Sequence, residues 1–220
     1  MSAIALFVKT PGYSTVKSRL ARDRGQAFAE DFHWRSARAV AEVAQTAAIG
    51  SVYWAVAEPA AMADSVWHSL PCLAQGAGGL GERMARVHRM LVERHGAGIL
   101  LGADAPQISA RDLQTAARWL AGPPARLALG EARDGGFWTF GANRPIAEMR
   151  WRQVDYSLPD TAQCFRRALE GLGEWLDLPK LTDLDEAEAL DALIDELGNA
   201  ETPTESQAEL LAWLRVSLPG

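Results

Sequence analysis

Short apolar runs alternate with longer amphipathic stretches along the chain. Ile4–Val8 is apolar at every position, which predicts a strand buried on both faces. Residues 25–48 are Ala-rich with no Gly or Pro after Gly25 and predict a long helix. A strand over Ser51–Ala57, a helix from about Ala60 to Ser69 and a short strand at Pro71–Ala74 follow. Leu80, Met84, Val87 and Leu91 recur at helical spacing, so residues 80–95 read as an amphipathic helix before a strand at Gly98–Gly102. Ser109 with Asp112 has the spacing of a capping box and opens a helix to about Ala121. Strands at Arg126–Leu129 and Phe137–Phe140 flank a glycine turn. Asp160 and Gln163 open a helix to about Leu172, and Leu176–Leu178 is a short strand. Asp185 with Glu188 starts a helix to Leu197, and Thr202, Pro203 and Glu205 start the last. Strand–helix alternation of this kind predicts an α/β fold with a mostly parallel sheet covered on both faces.

The 220 residues, 48% hydrophobic and 23% charged, are expected to form one domain over 1–220, with 203–216 as an appended helix. Cys72 and Cys164 are too few for a disulfide framework or a four-cysteine zinc site, and they suit a reducing compartment. No basic leader precedes the first apolar run and no membrane-length apolar stretch exists, so a cytoplasmic protein is expected. A net charge of −6 argues against a nucleic-acid binder and leaves small molecules as the expected partners.

Chemistry concentrates in five segments. Lys9-Thr-Pro-Gly-Tyr-Ser-Thr-Val-Lys-Ser-Arg19 follows the first strand and, with Arg22 and Arg24, places five cations in residues 9–24. That positive field in an acidic chain suits a phosphorylated ligand, although a solvated basic loop has the same composition. Gln75–Met84 contains Gly76, Gly78 and Gly81 in the G-x-G-x-x-G pattern, with Asp104 23 residues beyond. A dinucleotide site and a flexible turn closing onto a helix both fit it. Asp104, in Gly102-Ala-Asp-Ala-Pro106, is a lone acid after a strand, suited to a hard cation or to a turn. Asp134-Gly-Gly reads as a hairpin, and Asp183 and Asp185 precede a helix that Asp185 would cap. Trp138 and Trp151 flank these segments and could stack on a base or sugar.

Taken together and in this order, the five segments resemble a bacterial family of glycosyltransferase-A-fold proteins, long of unknown function. Some of its members are assigned to arsenosugar biosynthesis as glycosyltransferases. The pattern K-x-P-x-x-G-x-V-K-T-R-L, Q-G-x-G-x-L-G-E-R-M, G-x-D-x-P, D-G-G-Y/W and D-x-D-T appears at Lys9–Leu20, Gln75–Met84, Gly102–Pro106, Asp134–Trp138 and Asp183–Glu186. More distant similarity extends to phospholactate guanylyltransferases and molybdenum-cofactor nucleotidyltransferases. The resemblance implies a three-layer α/β/α fold with a mostly parallel mixed sheet, and a metal-dependent transferase with a nucleotide-activated donor, foremost a nucleotide-diphospho-sugar glycosyltransferase. A nucleotidyltransferase using a nucleoside triphosphate and a catalytically silent nucleotide-binding module are the alternatives. It implies phosphate and nucleotide contacts from Lys9, Pro11, Gly12, Lys17, Arg19, Gly78, Gly81, Glu82 and Arg83, and from Gly135 and Gly136. Asp104 and Asp185 would hold Mg2+ or Mn2+, and Asp134 is the candidate catalytic residue beside a small-molecule acceptor. The chain departs from the pattern at Ser18, Ala103, Ala105 and Glu186, and at Tyr156-Ser-Leu158, where W-S-T is usual.

Overall fold

The computed structural model describes residues 2–217. Its seven strands are β1 (Ser2–Val8), β2 (Val52–Val56), β3 (Cys72–Ala74), β4 (Ala97–Gly102), β5 (Arg126–Ala132), β6 (Phe137–Ala142) and β7 (Glu174–Leu181). They form one sheet in the order β3-β2-β1-β4-β6-β5-β7, parallel except where β6 meets β4 and β5. Composition explains the central place of β1. Ile4, Leu6 and Val8 enter one apolar cluster while Ala3 and Ala5 enter another, so neither face can meet water.

One face of the sheet is covered by α2 (Gln26–Thr46) and α4 (Ala110–Leu120). The other is covered by α3 (Leu80–His95), α5 (Glu148–Arg152) and α6 (Thr161–Ala168). Outside α2, a third cluster joins α1 (Ser18–Arg24), α7 (Leu190–Gly198) and α8 (Glu205–Ser217) through Leu20, Phe32, Leu193 and Leu210. The architecture is a three-layer α/β/α fold with a mostly parallel mixed sheet: the alternation predicts the parallel sheet and its two covered faces, and the resemblance implies the three-layer form.

Several local expectations need correction. Residues 60–69 form two 3-10 turns, Pro59–Ala63 and Ser65–Trp67, because Asp64 is extended and Trp67 turns into the core. The cationic segment contains α1, separated from α2 by Gly25 in a left-handed conformation (φ 90°). The short helix α5 had no periodic signal, and β7 spans eight residues instead of three. Asp160 makes no cap; Thr161 Oγ1 accepts the Leu158 N–H at 3.0 Å instead, and α6 ends at Ala168. Asp185 does not cap α7, which begins five residues later after a 3-10 turn at Ala187–Ala189. The last helix is capped by Thr204, which exchanges hydrogen bonds with Gln207, and not by Thr202. At Ser109 the expected cap is present, its Oγ accepting the Asp112 N–H at 3.1 Å.

This topology positions one crevice. From β1 the order runs to β2 and β3 on one side and to β4 on the other, which makes the β1/β4 boundary a switch point. Open α/β sheets bind ligands outside the carboxyl ends of strands at such a point. Because β3, β4, β5 and β7 run in the same sense as β1, the segments that follow all five strands emerge at that edge.

Candidate nucleotide site

The loop after β1 returns to the sheet edge at Lys17, which adopts a left-handed conformation (φ 47°, ψ 45°) immediately before α1. Such a backbone costs a residue with a Cβ on the order of 1–3 kcal/mol, and surrounding contacts must offset it. Here those contacts are charges. Lys17 Nζ, only 2% exposed, lies 3.0 Å from Asp104 Oδ1, 3.3 Å from Asp185 Oδ1 and 3.8 Å from Asp183 Oδ1. It also donates to the Leu184 carbonyl. Burial alone would lower the Lys17 pKa, but the three carboxylates outweigh it and hold the ammonium charged above the usual lysine range. Burial raises the Asp183 carboxyl well above its ordinary value; Lys17 opposes this, and Asp104 and Asp185 add to it. Asp104 Oδ1 and Asp183 Oδ1 are buried, and the Lys17 ammonium is the partner each of them faces.

Two cavities open on this cluster. One of about 520 Å³ lies between the β1 loop, the glycine loop and Asp104, with His33 and Arg83 in its wall. The other, about 470 Å³, lies between Asp104, Asp183 and the β5–β6 hairpin, with Phe137, Tyr156 and Leu158 in its wall. Lys9, Asp104, Ser157 and Asp185 line both. Ser157, like Lys17, is left-handed without being glycine (φ 67°), so strained backbone flanks the crevice on two sides.

Each wall has its own anchor. Gln75 Nε2 donates to the Val8 and Ala55 carbonyls at 3.2 and 2.8 Å, closing the ends of β1 and β2 beneath the glycine loop. The Gly79 N–H donates to Glu82 Oε2 at 2.7 Å, and Arg83 Nε donates to the Gly78 carbonyl at 2.9 Å. His33 Nε2 lies 2.8 Å from the Lys9 carbonyl; burial lowers its pKa, which favours a neutral ring that donates this bond. In the hairpin, Asp134 Oδ1 accepts the Gly136 N–H at 2.9 Å. Gly135 (φ 91°) packs so closely that a Cβ would stand 1.7 Å from the Pro159 carbonyl oxygen.

Lys9, Lys17, Gly78, Arg83, Asp104 and Asp185 therefore meet around the first cavity. Lys9, Arg19, Asp104, Asp134, Gly136 and Asp185 meet around the second. Arg19 is 56% exposed and pairs with Glu186 at 3.1 Å. Pro11 and Gly12 lie in the β1 loop away from both cavities, and Gly81, Glu82 and Gly135 line neither. Gly81 allows α3 to approach the Trp151 carbonyl, and the Glu82 carboxylate is turned to the start of α3 and to Arg152, 3.4 Å away. Trp151 is fully buried with its ring against Phe140 and Phe165, so it has no free face for a base or sugar. Trp138 lines the second cavity but is 3% exposed and bonded through Nε1 to the Pro179 carbonyl. The resemblance points to Asp185, the second acid of D-x-D-T, and gives Asp183 no role; only the fold shows that both face Lys17. His33 had no signal beyond its place on a long helix.

Seven strands in this order, layered between helices, form a mixed α/β fold of the nucleotide-diphospho-sugar transferase type, as superposition on a solved structure shows. A structure from Desulfovibrio desulfuricans G20, provisionally assigned as a nucleotide-diphospho-sugar transferase, superposes with a TM-score of 0.79 at 23% identity. That match covers 98% of this chain and 96% of the other. CMP:2-keto-3-deoxy-manno-octonic acid synthetase in complex with CTP matches with a TM-score of 0.53 at 15% identity, over 88% of this chain and 97% of the other. A nucleotidyl transferase from Methanothermobacter matches with a TM-score of 0.54 at 11% identity, over 89% and 98%. None of the curated proteins matches the chain in sequence. Residues 36–158 match the family described as an uncharacterized protein conserved in bacteria (DUF2064), and the chain belongs to that family.

Proposed function

We propose that the chain is a metal-dependent transferase acting on a nucleotide-activated donor, specifically a nucleotide-diphospho-sugar glycosyltransferase. The observation that carries this reading is the meeting of Asp104, Asp183 and Asp185 with the cationic β1 loop at the switch point of the sheet. The similarity in fold to the Desulfovibrio protein, over nearly the whole of both chains, supports it.

Among the described residues no acidic, histidine or cysteine side chains are already arranged as a metal cage; Lys17 Nζ sits between the carboxylates. The donor set nevertheless fits a hard divalent cation, because all three ligand candidates are carboxylates and two carry buried oxygens that face no group but the Lys17 ammonium. Asp104, Asp183 and Asp185 would hold Mg2+ or Mn2+, which supplies charge neutralisation to a departing diphosphate. The chain's own residues do the rest. Lys9, Arg83 and the glycine-loop N–H groups bind phosphate and nucleotide in the first cavity, with Arg19 at the rim of the second. Lys17 holds the carboxylates together against their mutual repulsion. The second cavity takes the acceptor, where Asp134 is the candidate to receive its proton.

Incubation with nucleotide sugars and with nucleoside triphosphates tests the assignment. Release of nucleoside diphosphate from a sugar donor is the expected result. Pyrophosphate release from a triphosphate would establish the second reading, a nucleotidyltransferase, which the fold shared with the CTP-bound synthetase favours. Nucleotide binding with neither product would leave a silent binding module. No helix among the described residues is long and apolar enough to cross a membrane.

A further inference from the structure

Glu196, on α7, lines neither cavity of the crevice, yet its carboxylate gathers four donors from three loops. Oε2 accepts from Gln107 Nε2 at 2.8 Å and from the Thr182 N–H at 3.1 Å. Oε1 accepts from Thr182 Oγ1 at 2.8 Å and from Arg133 Nε at 3.2 Å. Gln107 Nε2 also donates to the Thr182 carbonyl at 2.6 Å, tying two of the loops to each other. The donors are significant for where they stand. Gln107 lies three residues beyond Asp104, Arg133 directly precedes Asp134, and Thr182 directly precedes Asp183. One side chain therefore fastens the loops after β4, β5 and β7, each of which carries an acid of the crevice.

We propose that Glu196 is a positioning residue whose carboxylate sets the spacing of Asp104, Asp134 and Asp183 across the crevice. This rests on the crevice being the nucleotide and metal site. The chemistry of the contact explains the residue type. Three N–H donors and one hydroxyl face the side chain, so an ionised carboxylate satisfies all of them, whereas an amide of the same shape turns its own N–H groups toward at least one N–H donor. Carboxylates that repel one another hold a fixed separation only if their loops are pinned from behind. Lys17 supplies the attraction in front, and Glu196 supplies the restraint behind.

The test compares wild type with Glu196→Gln, Glu196→Asp and Leu193→Ala. Leu193 is fully buried on the same helix, in the cluster that also holds Leu184, so its truncation loosens α7 without removing any of the four hydrogen bonds to Glu196. The probes are Mn2+ with uridine or guanosine diphosphate, read by calorimetry and by the Mn2+ electron-spin signal. Glu196→Gln should weaken metal-dependent binding by about 10- to 100-fold, the usual effect of removing the group that orients a metal ligand. Metal-free nucleotide affinity should change less than about two-fold, because the glycine loop is untouched. Glu196→Asp, which keeps the charge, should retain more of the metal effect than Glu196→Gln, and Leu193→Ala should retain it in full. Amide exchange gives a readout without ligand: in Glu196→Gln, peptides over 103–108, 132–137 and 181–186 should exchange faster together while 75–79 stay unchanged. Unchanged metal dependence or unchanged exchange in Glu196→Gln overturns the proposal, as does an equal loss in Leu193→Ala. If wild type binds no nucleotide but the three loops loosen together, the functional reading fails and the positioning role stands.

Discussion

The two ends of the sheet hold cavities of similar size and opposite character. At the amino-terminal end of β1 and β4 lies a cavity of about 610 Å³, the larger one, lined by Ala47, Ile49, Ala117, Leu120 and Pro123. Its polar side chains are already employed. Gln114 Nε2 donates to the Ala47 carbonyl at 3.2 Å, and Asn143 Nδ2 donates to the Gly122 and Pro124 carbonyls at 2.9 and 2.8 Å. Arg144 donates to the Asn143 and Pro123 carbonyls, each at 2.8 Å. At the carboxyl-terminal end the balance is reversed. Three acids share one ammonium, and two of their oxygens are buried with that ammonium as the partner they face; left-handed backbone does not separate the ends, since Lys17 and Ser157 hold it here and Ala48 holds it there. One end spends its polar groups on closing turns, and the other sets them around a single ammonium. Size does not separate these cavities, whereas the state of their polar atoms does.

The largest effect that could break this contrast is at Lys17. Lys17→Met removes the only cation inside the acid cluster and should destabilise by about 3–5 kcal/mol at neutral pH, as uncompensated buried charge does. The sign with pH follows from Asp183, whose folded-state pKa is raised. A raised carboxyl contributes stability that is lost as pH rises through the folded value, and removing Lys17 raises it further. The deficit of Lys17→Met should therefore shrink as urea unfolding is repeated from pH 8 down to pH 5. A deficit independent of pH would mean that the cluster is not held by charge.

The interior should respond in the opposite direction. His88 is fully buried against Phe140 and Trp151, and burial pushes its pKa down from 6.5 to about 4. Its stability contribution is complete above pH 6.5 and is lost as pH falls toward 4, by about 3 kcal/mol in all. His88→Leu should flatten the acid limb of the stability profile; an unchanged limb assigns it to other groups.

Next in size is Asn143→Ala at the quiet end. It strands the Arg126 N–H and two carbonyls and should cost about 2–3 kcal/mol. Nucleotide affinity should not move, and a loss of affinity would join the two ends that the comparison separates. The smallest effect is expected at Arg118, which bonds only Thr115 Oγ1 on its own helix at 3.0 Å. Arg118→Ala should stay within about 0.5 kcal/mol of wild type in thermal unfolding.

The same contrast explains what could be read in advance. β1, α3 and α4 were legible because apolar period and cap chemistry agree at Ile4–Val8, Leu80–Leu91 and Ser109–Asp112. Residues 60–69 misled because Ala-rich composition favours helix while the burial of Trp67 overrides it. At the crevice, Asp104 and Asp185 were visible as acids after strands. That Asp183 joins them, and that Lys17 lies inside their cluster, depends on β4 and β7 ending at one edge, which no local pattern encodes. Asp185 has a helix-cap signature and performs another task. Local rules and the fold part at the acid cluster, whose members come from distant segments of the chain.

The central claim is that the acids at the carboxyl-terminal edge are kept for a metal-bound diphosphate. Calorimetric titration of uridine and guanosine diphosphate with and without Mn2+ tests it, on wild type, Asp104→Asn and Arg118→Ala. Asn fills a turn nearly as well as Asp but lacks the charge a divalent cation needs. Wild type and Arg118→Ala should gain affinity when Mn2+ is added, and Asp104→Asn should fold normally and gain none. If Asp104→Asn keeps the wild-type gain, the acid cluster is a structural ion pair with Lys17 and the assignment of the crevice is wrong.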